Sequence, residues 1–397
     1  MISVEQTRPL RSGPRVPVIL QVLPELVTGG VERGTVDIAA AVASMGWVSI
    51  VASAGGPMVA DLERVGSEHI TLPLHSKKPW TMHRNAGALT ELIFDRKVDI
   101  VHARSRAPGW SAMIAARRIG THFVTTYHGA YNATNPIKNL YNSVMACGER
   151  VIAISEFIAR HIQQRHGIAP QRIATIPRGV DVGLFDPQRV SAERIIQLAT
   201  AWRLQDGMPV IMLPGRLTRW KGQNVLIDAL AHLGRDDVRC LLVGSDQGRT
   251  GYRNELENLV RSRNLDHVVH IVDHCRDMPA AYMLADVVVS ASTDPEGFGR
   301  VAVEAQAMGR PVVASDHGGA RETVRPGETG WLVAPGDAKA LAEAISAALA
   351  MDAAARAKMA IVARAHVVEH FTVAHMRAAT VALYQDVLGM APQGPVS

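Results

Sequence analysis

Two carboxylates and two cations carry the chemistry this chain suggests. Glu296 and Glu304 stand eight apart within residues 291–323, ASTDPEGFGRVAVEAQAMGRPVVASDHGGARET, the first in a Pro/Gly loop and the second a turn and a half into a helix. Residues 286–290, DVVVS, form a short β-branched run before them, so the order is strand, tight loop, helix. That puts the loop beyond the carboxyl end of a strand, where open α/β sheets bind ligands. The helix start offers the backbone N–H groups of Gly297, Phe298 and Gly299 and a positive dipole end, both suited to an anion such as a diphosphate. Arg216 and Lys221 straddle a second strand-to-helix turn, PGRLTRWKGQ, with Gly215 and Gly222 permitting close backbone approach. Two cations beside a helix start make a diphosphate clamp, and a solvated basic turn is the plainer alternative. Glu304 lies in a helix that is nearly all small and apolar, where a Glu seldom stays unpartnered. Either it pairs with an Arg in the core, or it accepts hydrogen bonds from the hydroxyls of a ligand.

The elements that must position these groups alternate between strand and helix along the whole chain, which implies parallel sheets with helices on both faces. Strands are expected at 16–24, 47–54, 69–74, 98–102, 122–127, 151–155 and 173–176, then at 208–213, 238–244, 270–273, 286–290, 311–315 and 331–334. Gly29 and Gly30 form a tight turn after the first, in GGVERG, which is not the G-x-G-x-x-G of dinucleotide binders. Lys77, Lys78 and Trp80 make a basic, aromatic loop, either solvated or suited to an anionic acceptor or a membrane interface. Arg104 and Arg106 follow the fourth strand and suit bidentate capture of carboxylate or phosphate, or else form surface salt bridges. His128 precedes Gly129 at the end of the fifth strand, in a structural role or facing a ligand. Pro and Gly crowd residues 177–187, which marks a domain boundary with its linker at about 180–190.

At 397 residues the chain is long enough for two α/β domains, each with its own core. Cys147, Cys240 and Cys275 are odd in number and widely spaced, a pattern of neither disulfides nor a metal site. Residues 1–180 hold 20 Lys+Arg against 12 Asp+Glu, a balance of +8, and the remainder holds 22 against 25, a balance of −3. A basic first half suggests an anionic partner there. The charge is scattered, aromatic content is 5% and no nucleic-acid motif appears, which argues against nucleic acid. No apolar run is long enough for a signal peptide core or a spanning helix. The expectation is a cytoplasmic protein with at most a peripheral contact on the inner face of the plasma membrane.

PEGFGRVAVEAQAMGRPVVASDHGG, with Glu296 and Glu304 as Glu-x7-Glu, resembles the signature of the retaining family-4 glycosyltransferases with the GT-B fold. GRLTRWKG, TTYHGAY and the segment PRGVD to FDP are similar to further motifs of that family, although Arg178 stands where the family usually carries Asn. The likeness spans about residues 16–390. It implies two Rossmann-like parallel-sheet domains facing across a cleft, with a C-terminal helix returning to the first. The expected parts are a flexible N-terminus (1–16), an acceptor-binding domain (17–182), a nucleotide-sugar-binding domain (190–370), a crossover helix (371–390) and a tail (391–397).

The implied activity is retaining transfer of a hexose from a nucleoside-diphosphate sugar, with UDP as the expected nucleotide, to a hydroxyl. His128, Glu296, Arg216 and Lys221 are the implied catalytic groups. Gly29, Gly30, Arg216, Lys221, Glu296, Gly297, Phe298, Gly299 and Glu304 are the implied donor-binding groups. Lys77, Lys78, Arg104 and Arg106 would hold the acceptor, an anionic glycolipid or saccharide such as a lipopolysaccharide core. Neither a cofactor nor a metal is expected, because the cations occupy the place a divalent ion would. The rival readings are a sugar-nucleotide epimerase, a phosphorylase, or a catalytically silent nucleotide-sugar-binding module.

Overall fold

The computed structural model describes residues 15–27, 29–131, 135–248 and 250–391. The expected flexible N-terminus lies outside them except for Arg15 and Val16, and the expected tail except for Ala391.

All thirteen strands read from the sequence are present: β1 Val18–Val22, β2 Val48–Ser53, β3 Glu68–Thr71, β4 Ile100–Ala103, β5 His122–Tyr127, β6 Arg150–Ala153 and β7 Ile173–Thr175, then β8 Val210–Pro214, β9 Arg239–Val243, β10 Val269–Val272, β11 Val287–Ser290, β12 Val312–Ser315 and β13 Gly330–Val333. They form two sheets among the described residues, ordered β3-β2-β1-β4-β5-β6-β7 and β10-β9-β8-β11-β12-β13. Every pairing given for them is parallel, for example Ile19 with both Ser49 and Ile100, and Val288 with both Met212 and Val312. Central strands such as β1, β8 and β9 are buried at every position, as parallel strands covered on both faces must be.

Each sheet reverses its strand order once, between β1 and β4 in the first and between β8 and β11 in the second. Loops at such a point splay apart beyond the strand ends and leave a crevice for ligand. Gly29 and Gly30 follow β1, and Arg104 and Arg106 follow β4. Arg216 and Lys221 follow β8, and Glu296 follows β11. The sequence motifs thus flank the reversal point of their own sheet.

By compactness the chain divides into Met1–Val124 with Tyr384–Ser397, and Thr125–Leu383, so the division falls inside β5. The core of the second sheet gathers Ile211, Leu213, Leu226, Cys240, Val287, Val289 and Ile345. Residues 177–187 are pinned rather than loose: Val180 pairs with Thr372, and Arg364 donates to the carbonyls of Phe185 and Ala307. The last helix, Val373–Val387, ends on the first sheet. There Tyr384 is fully buried, with its Oη 2.6 Å from Nδ1 of His102 on β4. Burial, with the Arg104 charge added, holds that imidazole well below its usual range, so the contact joins two neutral groups.

Candidate functional site

Lys221 and Glu296 meet in the second sheet's crevice. Lys221 ends a 3-10 turn, Arg219–Lys221, and its aliphatic stem lies over Gly215, which brings the ammonium back towards the tip of β8. Its Nζ is 2.7 Å from Glu296 Oε1 and 4.5 Å from the centre of the Trp220 ring. Both side chains are largely buried, 13% and 16% exposed. Ser292 and, at 3.5 Å, Ser290 also donate to Glu296 Oε1. Burial alone would push the Glu296 carboxyl up, but the Lys221 charge and these hydrogen bonds outweigh it and hold the carboxyl below its usual 4.5.

A carboxyl with a lowered folded-state pKa stabilises the fold above its unfolded-state value, and that contribution fades as pH falls through the lower, folded value. Between about pH 6 and pH 3.5 the wild type should therefore lose more unfolding free energy than Glu296→Gln in matched urea titrations. Equal losses would show that the pair adds nothing to folding.

Around this pair the loop after β11 is held on three sides. The Gly319 amide donates to the Glu296 carbonyl at 2.9 Å. Ser155 Oγ, just past β6, donates to the Gly297 carbonyl at 2.6 Å while accepting from Ile158 as the N-cap of helix Glu156–His166. A Cβ built on Gly297 would stand 3.0 Å from the His128 carbonyl oxygen and 3.2 Å from Gly129 Cα, so the loop rests directly on the His128–Gly129 backbone. His128 Nδ1 is 2.8 Å from an Nη of Arg178. Among the described residues, none is paired with the amide N–H of Gly297, Phe298 or Gly299. The Phe298 side chain packs edge-on against Phe371 and anchors the start of helix Arg300–Ala307.

Glu304, 7% exposed, is doubly held: Oε1 is 2.8 Å from Arg300 Nε, and Oε2 accepts from Tyr282 Oη at 2.9 Å. Pairing with an arginine was one of the two readings the sequence left open. The partner is not deep in the core but one turn earlier on the same helix, and half exposed. Burial and the neighbouring Glu304 raise the Tyr282 hydroxyl well above its usual 10, so it remains a donor to the carboxylate. Arg216 is exposed, and its guanidinium has no hydrogen bond or ion pair to the described residues. Only its carbonyl is engaged, by Gln223 Nε2 at 2.9 Å.

In the first sheet, Gly29 caps helix Gly30–Ser44 with φ 144°. Lys77 and Lys78 are exposed at the start of helix Pro79–Asp95. Arg104 corrects the sequence reading of two paired cations at a rim. It is 4% exposed, and Nη1 donates 3.2 Å to Gln21 Oε1. The Arg104 amide bonds to the Val22 carbonyl, so the residue still extends β4, a strand whose every position is buried, and its side chain is buried with it. Burial lowers its pKa to about 10. Arg106, opening helix Arg106–Ile119, is only partly buried.

Sequence reasoning missed Tyr282, Arg300, Ser155, Ser290 and Ser292, and gave Arg178 no role. The i,i+4 spacing of Arg300 and Glu304 was the signal available for the first pairing. Tyr282 lies 22 residues before Glu304 on another helix and has no local signature. No group of three or more His, Cys, Asp or Glu able to hold a metal is found among the described residues, nor any helix long and apolar enough to cross a membrane.

The chain matches two family models, Glycosyltransferase Family 4 over residues 28–184 and Glycosyl transferases group 1 over residues 197–366. A D-inositol 3-phosphate glycosyltransferase of Xylanimonas cellulosilytica is 34% identical over 288 residues, 67% of each chain. A glycosyltransferase of Rickettsia africae superposes with a TM-score of 0.87 at 36% identity, over 95% of this chain and 100% of that one. The Anabaena protein Alr3699/HepE, solved with UDP-glucose, superposes at 0.80 with 26% identity, over 92% and 99%. With both sheets, the motifs and these likenesses in agreement, this chain belongs to the family 4 glycosyltransferases of the GT-B fold and is a glycosyltransferase.

Proposed function

We propose that the enzyme moves a hexose, with retention at the anomeric carbon, from a UDP-sugar to a hydroxyl of an anionic glycolipid or saccharide used in building the cell envelope, such as a lipopolysaccharide core. The observation that carries this reading is the buried Lys221–Glu296 pair, next to the Gly297–Gly299 amides that no described residue uses. Breaking the bond from sugar to diphosphate releases negative charge, and fixed cations and amides aimed at that charge are the largest aid a protein can give such a step. In this reading Arg216, Lys221 and the amides take the diphosphate. Glu296 takes the sugar hydroxyls, and Glu304 the ribose. His128 faces the sugar, with Gly29 and Gly30 near the donor phosphate and the acceptor. No carboxylate other than Glu296 stands out as a nucleophile, so the departing phosphate would take the acceptor proton on the same face. UDP is favoured because the Anabaena protein was solved with UDP-glucose. A charged acceptor is favoured by the name of the Xylanimonas relative and by exposed Lys77 and Lys78, joined by Arg106. Contact of Lys77, Lys78 and the helix start at Trp80 with the inner membrane surface belongs to the same reading.

A ligand that binds only the folded state raises the melting temperature by mass action. In a thermal-shift screen of UDP-, GDP- and ADP-sugars, a UDP-sugar should give the largest rise. A larger rise with another nucleotide would overturn the UDP assignment, and no rise with any of them would remove the donor reading of this site.

A further inference from the structure

The Arg178–His128 contact has a chemical direction. A guanidinium carries five N–H donors and no acceptor. At 2.8 Å from its Nη, His128 Nδ1 must therefore be the acceptor. A neutral imidazole that accepts at Nδ1 carries its hydrogen on Nε2.

Both partners are held in place by their backbones. Val180, two residues after Arg178, bonds to the Phe371 carbonyl at 2.8 Å and accepts from Val373 at 3.0 Å. A Cβ on the intervening Gly179 would stand 2.4 Å from the Thr372 carbonyl oxygen, so the chain is pressed against residues 371–373. On the other side, the His128 carbonyl lies under Gly297 of the loop that carries Glu296. The ring therefore has an arginine fixed behind it and the donor loop fixed against its backbone.

The geometry points to Arg178 as a positioning residue that locks His128 in its Nε2–H form, so that the ring serves as a hydrogen-bond donor to a hydroxyl and not as a general base. A base at Nε2 needs its lone pair there, which would move the hydrogen to Nδ1 and face it with another donor. The inference rests on the reading that His128 faces the sugars, and it adds a consequence: the proton of the attacking hydroxyl does not go to His128. The residue responsible is Arg178.

The test is nitrogen-15 NMR of the full chain labelled at its 16 histidines, with the His128 signals assigned by their loss in His128→Gln. The wild type should show a protonated Nε2 and an unprotonated Nδ1. Arg178→Met, which keeps the aliphatic bulk, should bring Nδ1–H into the spectrum and lower kcat about tenfold with the donor KM little changed. Arg178→Lys, which keeps a charged donor, should restore the Nε2–H pattern and most of kcat. A wild-type ring protonated on Nδ1 would overturn the proposal without recourse to any Arg178 variant, as would a pattern indifferent to Arg178→Met in a folded protein. Full activity of His128→Gln would instead remove the reading of His128 as facing the sugars, leaving the tautomer result to stand by itself.

Discussion

Lys221→Ala should lower kcat/KM for sugar transfer by about a thousandfold, the scale of losing one preorganised charge-stabilising group in a water-poor site. Two effects act in the same direction. The diphosphate loses a cation whose stem is already fixed over Gly215 and whose head is seated on Trp220. Glu296 also loses the charge that offsets its burial, so its carboxyl rises towards protonation and is less fit to accept from sugar hydroxyls. Lys221→Arg keeps the charge but not the compact point geometry and should lie between the two. A Lys221→Ala enzyme within about tenfold of wild type would remove Lys221 from the reaction.

Gly222→Ala should be the most damaging of the conservative substitutions, costing about 3 kcal/mol or more and lowering the melting temperature by roughly 4–6 °C. Gly222 has φ 72°, where any L side chain is strained by about 1–2 kcal/mol. A Cβ there would also stand 1.9 Å from the Ala291 carbonyl oxygen, and a backbone carbonyl cannot swing aside as a side chain can. The same contact joins the loop after β8 to the loop after β11, so relief would pull Lys221 away from Glu296. Scanning calorimetry decides the first point, and a melting temperature within about 2 °C of wild type would contradict the close approach. Gly234→Ala is the control: it shares a positive φ of 62°, and its Cβ would meet nothing within 4 Å.

Strand positions were legible because each is a short apolar run ended by Gly, Pro or a charged loop, and a parallel sheet covered on both faces demands little else of its strands. The sequence also placed Arg216, Lys221 and Glu296 beyond strand ends correctly. What one sequence withholds is the direction of a side chain at the edge of a layer. Arg104 and Arg106 look equivalent as ARSR, yet the first still extends the fully buried strand β4 while the second opens a helix. Long-range partners were equally out of reach: nothing near Glu304 announces Tyr282, and nothing near His128 announces Arg178, 50 residues on. The compact division falls inside β5, whereas the linker is expected at about 180–190, since Pro and Gly report local chain geometry and not which surfaces hold together.

The helix Glu156–His166 begins with its amides on Glu322, whose two carboxylate oxygens accept from Glu156 at 2.8 Å and Phe157 at 2.6 Å, beside Ser155 on the Gly297 carbonyl. Those three bonds make the halves of the gene poor candidates for exchange. A hybrid enzyme spliced near residue 180 from two relatives would inherit residues 155–157 from one parent and residues 297 and 322 from the other. Its success would depend on whether both parents kept the same hydroxyl and the same acid, so swaps that move residues 125–383 as one block should fare better than swaps that respect the Pro/Gly hinge.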